Sequence, residues 1–218
     1  MVIIMERLGI YGGTFAPVHI GHKRAATAFL KQAELDKLLI IPAAIPPHKQ
    51  LDFADSPVHR LNMCKLAFAD MEKTEVSEIE LERGGKSYTY DTMVSLSAPE
   101  RKLFLLCGTD MILTFEEWYR YRDILNLCTL VSASRLTDKS SEEKTAKILN
   151  HFKKDYGAEI MTLDYTPFEI SSTDIREMLI QNKDISQMID KKVCDYIYKN
   201  NLYNACQCAD KTSFNRGI

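Results

Sequence analysis

The chain has 218 residues, of which 45% are hydrophobic and 27% are charged, and its formal net charge is −2. This composition is typical of a globular protein, and the near-neutral balance argues against non-specific nucleic-acid binding. No apolar run reaches the roughly 18 residues that a membrane-spanning helix needs, and the first residues lack a secretory signal pattern. We expect a cytoplasmic protein with one domain over residues 1–203 and a polar tail over 204–218.

Four short apolar runs predict parallel β-strands that are buried on both faces. Each run is followed by turn-forming or polar residues. The runs are LGIY (8–11), KLLIIP (37–42), LFLLCG (103–108) and TLVSA (129–133). A further segment, SEIELER (77–83), alternates in polarity, which predicts a strand nearer the edge of the sheet.

Helical patterns lie between these strands and after them. They predict helices over 21–34, 57–71, 89–97, 118–126 and 141–156, and over 168–179 and 191–203 in a small helical C-terminal part, 168–203. Ser56 is a candidate N-cap for the second helix, with Pro57 at its first position. Alternating strands and helices predict an α/β fold, a parallel sheet with helices on both faces. Ligands of such sheets bind at the carboxyl ends of the strands.

The segment GGTFAPVHIGH, residues 12–22, follows the first strand. Gly12 and Gly13 would let the backbone approach a ligand closely. His19 and His22 stand where the first helix begins, and a helix N-terminus presents unpaired N–H groups that bind anions. Two imidazoles beside such amides suit a polyphosphate. The alternative is a glycine turn with two chance histidines.

A second segment, ISSTDIR, residues 170–176, precedes a helical pattern. Ser171 with Asp174 resembles a capping box, with aspartate in place of the usual glutamate or glutamine. That structural role suffices by itself to explain the pattern. Consecutive hydroxyl residues with an arginine one turn later also suit a phosphate cradle, and the two roles are compatible. The cradle would consist of Ser171, Ser172, Thr173 and Arg176.

Two further loops follow predicted strands. PAAIPPHK, 42–49, ends in an imidazole and an ammonium group that are useful beside a phosphate site, although a solvated loop is the simpler reading. GTDMILTFEEWYRY, 108–121, contains Asp110, Tyr119 and the single tryptophan, Trp118. Tryptophan more often packs in a core. The polar neighbourhood here is also compatible with a ring that stacks on a ligand, so both roles stay open.

Several other chemistries lack their motifs. The chain contains no nucleophile elbow, no Walker A string and no GxGxxG. The six cysteines form no CxxC pair, so we expect reduced thiols and no bound metal. Covalent catalysis and a protein-held metal are therefore not predicted.

Together, GGTFAPVHIGH and ISSTDIR resemble the paired signature of the nucleotidyltransferases with an HxGH motif, which have a Rossmann-like fold. IPAAIPPHK (41–49), SYTYDT (87–92) and GTDMILTFEEWYR (108–120) resemble bacterial nicotinate mononucleotide adenylyltransferases. The resemblance covers residues 8–180. It implies adenylyl transfer from ATP to nicotinate mononucleotide, which gives nicotinate adenine dinucleotide and pyrophosphate in NAD biosynthesis. It also implies Mg²⁺ that accompanies ATP without a dedicated ligand cage.

The resemblance implies roles for particular residues. His19 and His22 would hold the phosphates of ATP and stabilise charge at the α-phosphate. The other ATP contacts would be Gly12, Gly13, Thr14, Phe15, Ser171, Ser172, Thr173 and Arg176. The mononucleotide would meet His48, Lys49, Thr89, Asp110, Trp118, Tyr119 and Arg135. Many members carry Asp or Asn where this chain has Ala16, so no role is assigned to that side chain.

Three alternatives stay open at this point. Phosphopantetheine adenylyltransferases and cytidylyltransferases share the HxGH pattern, and a non-catalytic nucleotide-binding protein could use the same fold. Intact His19, His22 and ISST favour an enzyme. The acid and amide forms of the mononucleotide differ at one carbonyl substituent, which the sequence does not resolve. A homo-oligomer is compatible with the sequence.

Overall fold

The computed structural model describes residues 5–46, 56–133, 139–168 and 170–204. These residues form a six-stranded parallel sheet in the order β3-β2-β1-β4-β5-β6. The strands are β1 Glu6–Gly13, β2 Lys37–Pro42, β3 Thr74–Val76, β4 Arg101–Gly108, β5 Cys128–Ala133 and β6 Ile160–Thr162. All four strands predicted from apolar runs are confirmed.

Helices connect the strands and follow the last one. They are α1 Ile20–Gln32, α2 Pro57–Phe68, α3 Ile79–Arg83, α4 Thr89–Leu96, α5 Thr109–Leu113, α6 Tyr121–Leu127, α7 Lys139–Tyr156, α8 Ser172–Ile180 and α9 Lys191–Lys199. Short 3₁₀ turns lie at Phe115–Glu117 and Leu202–Asn204. Ser56 caps α2 as predicted, because its hydroxyl accepts from the His59 N–H at 3.3 Å. None of the helices in these ranges is long and apolar enough to cross a bilayer.

The strand order creates one switch point, between β1 and β4. The chain builds outward from β1 to β2 and β3, and then returns to the other side of β1 to add β4, β5 and β6. Gly13 lies opposite Pro42, and Gly108 lies opposite Ala133, so the carboxyl ends of four central strands finish together. This is the strand order of doubly wound nucleotide-binding sheets, in which ligands bind at the switch point.

The sheet is covered on both faces. Alternate residues of β4 point to opposite sides, so that Phe104 and Leu106 join one hydrophobic cluster and Leu103 and Leu105 join the other. The first cluster also takes buried residues from α1, α2, α8 and α9, and the second takes them from α4, α5, α6 and α7. The helical C-terminal part thus shares its core with α1 and α2. The predicted domain boundaries stay predictions, and 205–218 lie outside the described residues.

Three sequence expectations were wrong in position or type. Residues 77–83 were expected as a strand, but 79–83 form α3, because glutamate, leucine and arginine favour a helix over so short a stretch. The edge strand β3 instead precedes it. The helix expected over 118–126 begins at Tyr121, since Arg120 has a left-handed φ of 55° that interrupts helical geometry. The helix expected from residue 168 begins at Ser172.

Three cysteines lie deep in the core. Cys64, Cys107 and Cys128 are buried free thiols, as the apolar runs around the last two predicted. Burial raises the pKa of the Cys128 thiol to about 12 and that of Cys107 well above its ordinary value. These thiols therefore pack as small apolar side chains.

Candidate active site

The loop between β1 and α1 lies at the carboxyl end of the sheet and carries most of the GGTFAPVHIGH segment. Phe15 has a left-handed φ of 52°, which is uncommon for a bulky residue. This turn places the buried Phe15 ring 5.0 Å from the His22 ring, centroid to centroid. The Ala16–Pro17 peptide is cis. The side chain of Phe15 thus supports His22 from within the core, and its predicted contact with ATP stays a prediction.

His19 and His22 cap helix α1 for each other. The Nδ1 atom of His19 accepts from the Gly21 N–H at 3.2 Å, and the Nδ1 atom of His22 accepts from the His19 N–H at 3.1 Å. The two ring centroids are 3.8 Å apart. Because each Nδ1 is an acceptor, a neutral ring must carry its proton on Nε2. Both imidazoles therefore have Nε2–H as their donor.

The glycine between the histidines is required by this geometry. A Cβ atom at Gly21 would lie 2.9 Å from Cε1 and 3.0 Å from Nδ1 of His19, closer than real Cβ contacts allow. Any side chain there would push the His19 ring away from the N–H group that it caps. A Cβ atom at Gly12, in contrast, would meet no described atom within 4 Å. Packing within the described residues thus explains Gly21 but not Gly12.

The expected ring of unpaired N–H groups at the start of α1 is absent. The Ile20 N–H donates to the Met188 carbonyl at 2.9 Å, and the N–H groups of residues 21–23 donate to the ring or the carbonyl of His19. The sequence expectation was wrong because the imidazole cap and a distant segment supply acceptors for these amides. The amides at the start of α1 are thus already bonded within the protein, and anion binding by the two imidazoles stays a prediction.

The start of α8 confirms the predicted capping box. The hydroxyl of Ser171 accepts from the Asp174 N–H at 3.1 Å, and the Asp174 carboxylate accepts from the Ser171 N–H at 2.8 Å. Within the described part of the chain, the N–H groups of Ser172 and Thr173 have no protein acceptor. This helix therefore has the donors that α1 lacks.

Helix α8 holds the β1–α1 loop directly. The Ser172 hydroxyl donates to the Pro17 carbonyl at 2.9 Å, although the two residues are 155 positions apart. The guanidinium of Arg176 donates to the Ala16 carbonyl at 2.6 Å and to the Thr173 hydroxyl at 3.2 Å. The two predicted phosphate motifs are thus in contact. Position 16 contributes its backbone carbonyl to this contact, so the contact does not depend on the alanine side chain.

The segments SYTYDT and EEWYR come together beside this edge. Tyr119 is exposed, and its ring centroid is 5.0 Å from that of Tyr88 and 6.0 Å from that of Tyr90. The guanidinium of Arg120 lies 4.2 Å from the centre of the Tyr90 ring. Thr89 is the first residue of α4. Sequence reasoning missed both Tyr88 and Tyr90, although two aromatic residues flanking Thr89 were the available signal.

Trp118 packs partly into the core, and its stacking on a ligand stays a prediction. One side of its ring packs on the buried Phe115 ring, with centroids 4.8 Å apart and planes at 30°, while Trp118 itself is half-buried. Asp110 is exposed in the first turn of α5, and a Cβ atom at Gly108 would lie 2.9 Å from its Oδ1. Glycine at 108 therefore leaves room for this carboxylate. The predicted contacts His48, Lys49 and Arg135 lie outside the described residues.

Arg60 on α2 was also missed. Its side chain is fully buried, and it donates to the carbonyls of Thr14 and Ala44, both at 3.0 Å. The signal was a charged residue at helical spacing from the buried Met63 and Cys64. No group of three His, Cys, Asp or Glu side chains within the described ranges is placed to hold a metal ion.

Comparison with known proteins places this arrangement in a family. The family model described as cytidylyltransferase-like matches residues 10–178. A probable nicotinate-nucleotide adenylyltransferase of Fusobacterium nucleatum is 37% identical over 196 residues, which is 88% of this chain and 97% of that protein. The nicotinate-nucleotide adenylyltransferase of Bacillus subtilis is 36% identical over 204 residues, 92% of this chain and 100% of that protein.

Solved structures share the fold. Nicotinic acid mononucleotide adenylyltransferase of Plasmodium falciparum, complexed with NaAD, superposes with a TM-score of 0.72 at 20% identity and covers 92% of this chain and 98% of that one. The same enzyme complexed with APC gives a TM-score of 0.71 at 19% identity, with the same coverage. At this identity the likeness shows the Rossmann-like fold alone. From the family model and the sequence relatives, the chain belongs to the cytidylyltransferase-like family and, within it, to the nicotinate-nucleotide adenylyltransferases.

Proposed function

We propose that this chain transfers the adenylyl group of ATP to nicotinate mononucleotide, forming nicotinate adenine dinucleotide and releasing pyrophosphate in NAD biosynthesis. The observation that carries the proposal is the pair of hydrogen bonds by which Ser172 and Arg176 of α8 hold the loop that leads into the histidine pair of α1, at the switch point of the sheet. The names of the relatives, nicotinate-nucleotide adenylyltransferase, support the substrates.

The proposed ATP half of the site consists of hydrogen-bond donors for phosphate oxygens. The Nε2–H groups of His19 and His22 and the N–H groups of Ser172 and Thr173 suit the phosphate oxygens, and the N-terminus of α8 adds a favourable dipole. The open space at Gly12 lets a phosphate approach the end of β1. The guanidinium of Arg176 has five N–H donors, and two of them bond to the Ala16 carbonyl and the Thr173 hydroxyl. Its other donors can bind phosphate oxygens while Arg176 holds the loop.

The proposed reaction would use these donors. A phosphate oxygen of the mononucleotide attacks the α-phosphorus of ATP, a new P–O bond forms, and the bond to the β-phosphate oxygen breaks. Pyrophosphate leaves, and Mg²⁺ enters with ATP as part of the substrate. Such transfers depend on alignment and on neutralised charge rather than on a protein nucleophile. His19 and His22 supply that stabilisation at the α-phosphate.

The mononucleotide half is aromatic. Trp118 offers a half-buried ring surface to the flat, cationic pyridine ring, and Tyr119 stands beside it. Thr89 opens α4, whose N-terminal amides and dipole favour the nicotinate carboxylate over a neutral amide. Asp110 would bind ribose hydroxyls. His48, Lys49 and Arg135 complete the proposed set from outside the described residues.

Pyrophosphate release tests the proposal and its alternatives. We expect release with ATP and nicotinate mononucleotide. With nicotinamide mononucleotide we expect a kcat/KM at least about tenfold lower, because its neutral amide replaces the carboxylate that the donors of the protein would bind. Equal values would contradict the acid specificity. Release with phosphopantetheine or with CTP instead would identify a sibling enzyme, and no release with any pair would favour a non-catalytic nucleotide-binding protein.

Two expectations about the surroundings of the enzyme stay predictions, a cytoplasmic location and no nucleic-acid partner. The sequence leaves open whether the chain is a monomer or a homo-oligomer. Size-exclusion chromatography with light scattering would decide between the two.

A further inference from the structure

The buried arginine of α2 has no place in the roles considered so far. Arg60 is fully buried on the same helix as the buried apolar residues Leu61, Met63 and Cys64. Removing a guanidinium from water costs several kcal/mol, so a buried one needs hydrogen bonds that repay this cost. Its partners therefore indicate what it does.

Arg60 joins two loops at the carboxyl edge of the sheet. Nη1 donates to the Thr14 carbonyl and Nη2 donates to the Ala44 carbonyl, both at 3.0 Å. Thr14 directly follows β1 in the loop proposed for ATP, and Ala44 follows the neighbouring strand β2. The planar guanidinium holds two acceptors in fixed directions at once, which a lysine ammonium cannot do in the same geometry.

The link continues to the mononucleotide side. The Ala44 N–H donates to the hydroxyl of the buried Ser87 at 2.8 Å, and the Ser87 N–H donates to the Ile45 carbonyl at 2.9 Å. Ser87 stands two residues before Thr89, which opens α4. Hydrogen bonds thus run from Thr14 through Arg60 to the segment proposed to bind the pyridine ring.

We propose that Arg60 is a positioning residue for the transfer, which fixes the two substrate halves of the site relative to each other. The inference rests on the proposed function, since it needs two substrates that react across this edge. Each substrate would still bind its own half without Arg60, whereas their alignment for attack would be lost. Loss of Arg60 should therefore lower kcat far more than it raises either KM.

The same sheet provides a matched control. Arg7 also holds two carbonyls, those of Ala33 at 2.8 Å and Glu34 at 3.1 Å, but it lies near the amino end of β1. The substitution R7K removes a comparable clamp from the opposite end of the strand. If Arg60 only stabilises the fold, R60K and R7K will behave alike in kinetics once both are folded.

The experiment compares R60K, S87A and R7K with the unchanged chain, at a temperature where circular dichroism shows each to be folded. We expect R60K to lower kcat at least about tenfold with each KM within about threefold, because small misplacements of reacting groups cost large factors. S87A, which keeps Arg60 but releases the Ala44 N–H, should lower kcat about threefold or more with the same KM pattern. R7K should keep kcat/KM within about twofold while its melting temperature falls.

Several results would overturn the inference. They are a kcat for R60K within twofold of the R7K value, or an effect of R60K confined to one KM. If R60K does not fold, S87A decides, and an unchanged kcat in S87A overturns the link. Absence of activity in the unchanged chain removes the proposed function and this inference with it. An active unchanged chain with an unaffected R60K removes only the inference.

Discussion

The two ends of the parallel strands differ in how some of their charged side chains are paired. At the amino end, Arg101 forms an ion pair with Glu6 at 2.7 Å and Lys102 forms one with Glu159 at 2.6 Å, while Arg7 donates to carbonyls. At the carboxyl end, Arg176 donates to a carbonyl and a hydroxyl, and among the described residues no carboxylate pairs with it. A cation held by neutral groups keeps its charge available to an anion.

The pairing of charged groups indicates which end of the sheet suits a phosphate ligand. A cavity of about 460 Å³ lies at the amino end, lined in part by Arg101, Lys102 and Glu159. Its charged groups are already in ion pairs. The carboxyl end instead presents imidazole and amide donors beside the Arg176 guanidinium, and such groups are suited to binding phosphate. Substitutions at the carboxyl end should therefore change kinetics, and substitutions at the amino end should change only stability.

The largest effect expected is that of H19N. Asparagine is among the best N-cap residues, so it can replace the cap on the Gly21 N–H while it removes the imidazole. We expect kcat to fall about 10²- to 10³-fold, the usual loss for one preorganised donor at a developing charge, with a melting temperature close to that of the unchanged chain. Steady-state kinetics and thermal unfolding measure the two effects. A kcat above one tenth of the original would contradict the role of His19.

The next effect is expected on the mononucleotide side. W118L removes the ring surface but keeps an apolar contact with Phe115. Stacking on an aromatic ring is worth about 1–3 kcal/mol per base, so KM for nicotinate mononucleotide should rise about tenfold or more while KM for ATP stays unchanged. An equal rise in both KM values would show that Trp118 shapes the whole site rather than one pocket.

Two glycines of β1 offer a contrast within one strand. A Cβ atom at Gly9 would lie 2.3 Å from Cδ1 of Leu35, so G9A should destabilise the fold by about 1–3 kcal/mol without changing KM. G12A meets no described atom and should fold normally. It should raise KM for ATP several-fold, because its methyl group occupies the space proposed for phosphate. Denaturant unfolding and kinetics on both variants test this, and an unchanged KM in G12A would count against phosphate at this point.

The smallest effect is expected at the amino end. Hydrogen bonds from Lys102 and Thr129 lower the pKa of Glu159 below its ordinary value. A lowered pKa means stability that is present above the ordinary glutamate pKa of about 4.3 and is lost as the pH falls through the lowered value. K102M should therefore cost at most about 1 kcal/mol at neutral pH, since Glu159 is largely exposed.

Two measurements check this end of the comparison. The difference in unfolding free energy between K102M and the unchanged chain should shrink as the pH falls below about 4, where Glu159 becomes protonated. Its kcat/KM at neutral pH should equal that of the unchanged chain. A kinetic defect in K102M would break the division between the two ends of the sheet.

Local patterns predicted much of the fold. The four central strands were readable because buried parallel strands are continuous apolar runs, and the cap at Ser171 was readable because a capping box spans four residues. Strands β3 and β6, with three residues each, are too short to show a period. The segment 77–83 misled because its alternation also fits a short helix.

Contacts between distant residues could not be predicted in the same way. The Met188 carbonyl, which accepts from the first N–H group of α1, is 168 residues away from that group in the sequence. Only the folded structure brings the two together. The link from Arg60 to Thr14 and Ala44 likewise depends on how α2 packs on the sheet. Motifs thus predicted which edge of the sheet carries the site, while the folded structure showed which hydrogen bonds hold the loops of that edge.

Label transfer from ATP tests the central claim most directly. The unchanged chain is incubated with nicotinate mononucleotide and with ATP labelled either at the α-phosphate or at the γ-phosphate, and the products are separated. Adenylyl transfer puts the α-label in the dinucleotide and the γ-label in pyrophosphate. Transfer of the γ-label to the mononucleotide, or no transfer of either label, would contradict the account.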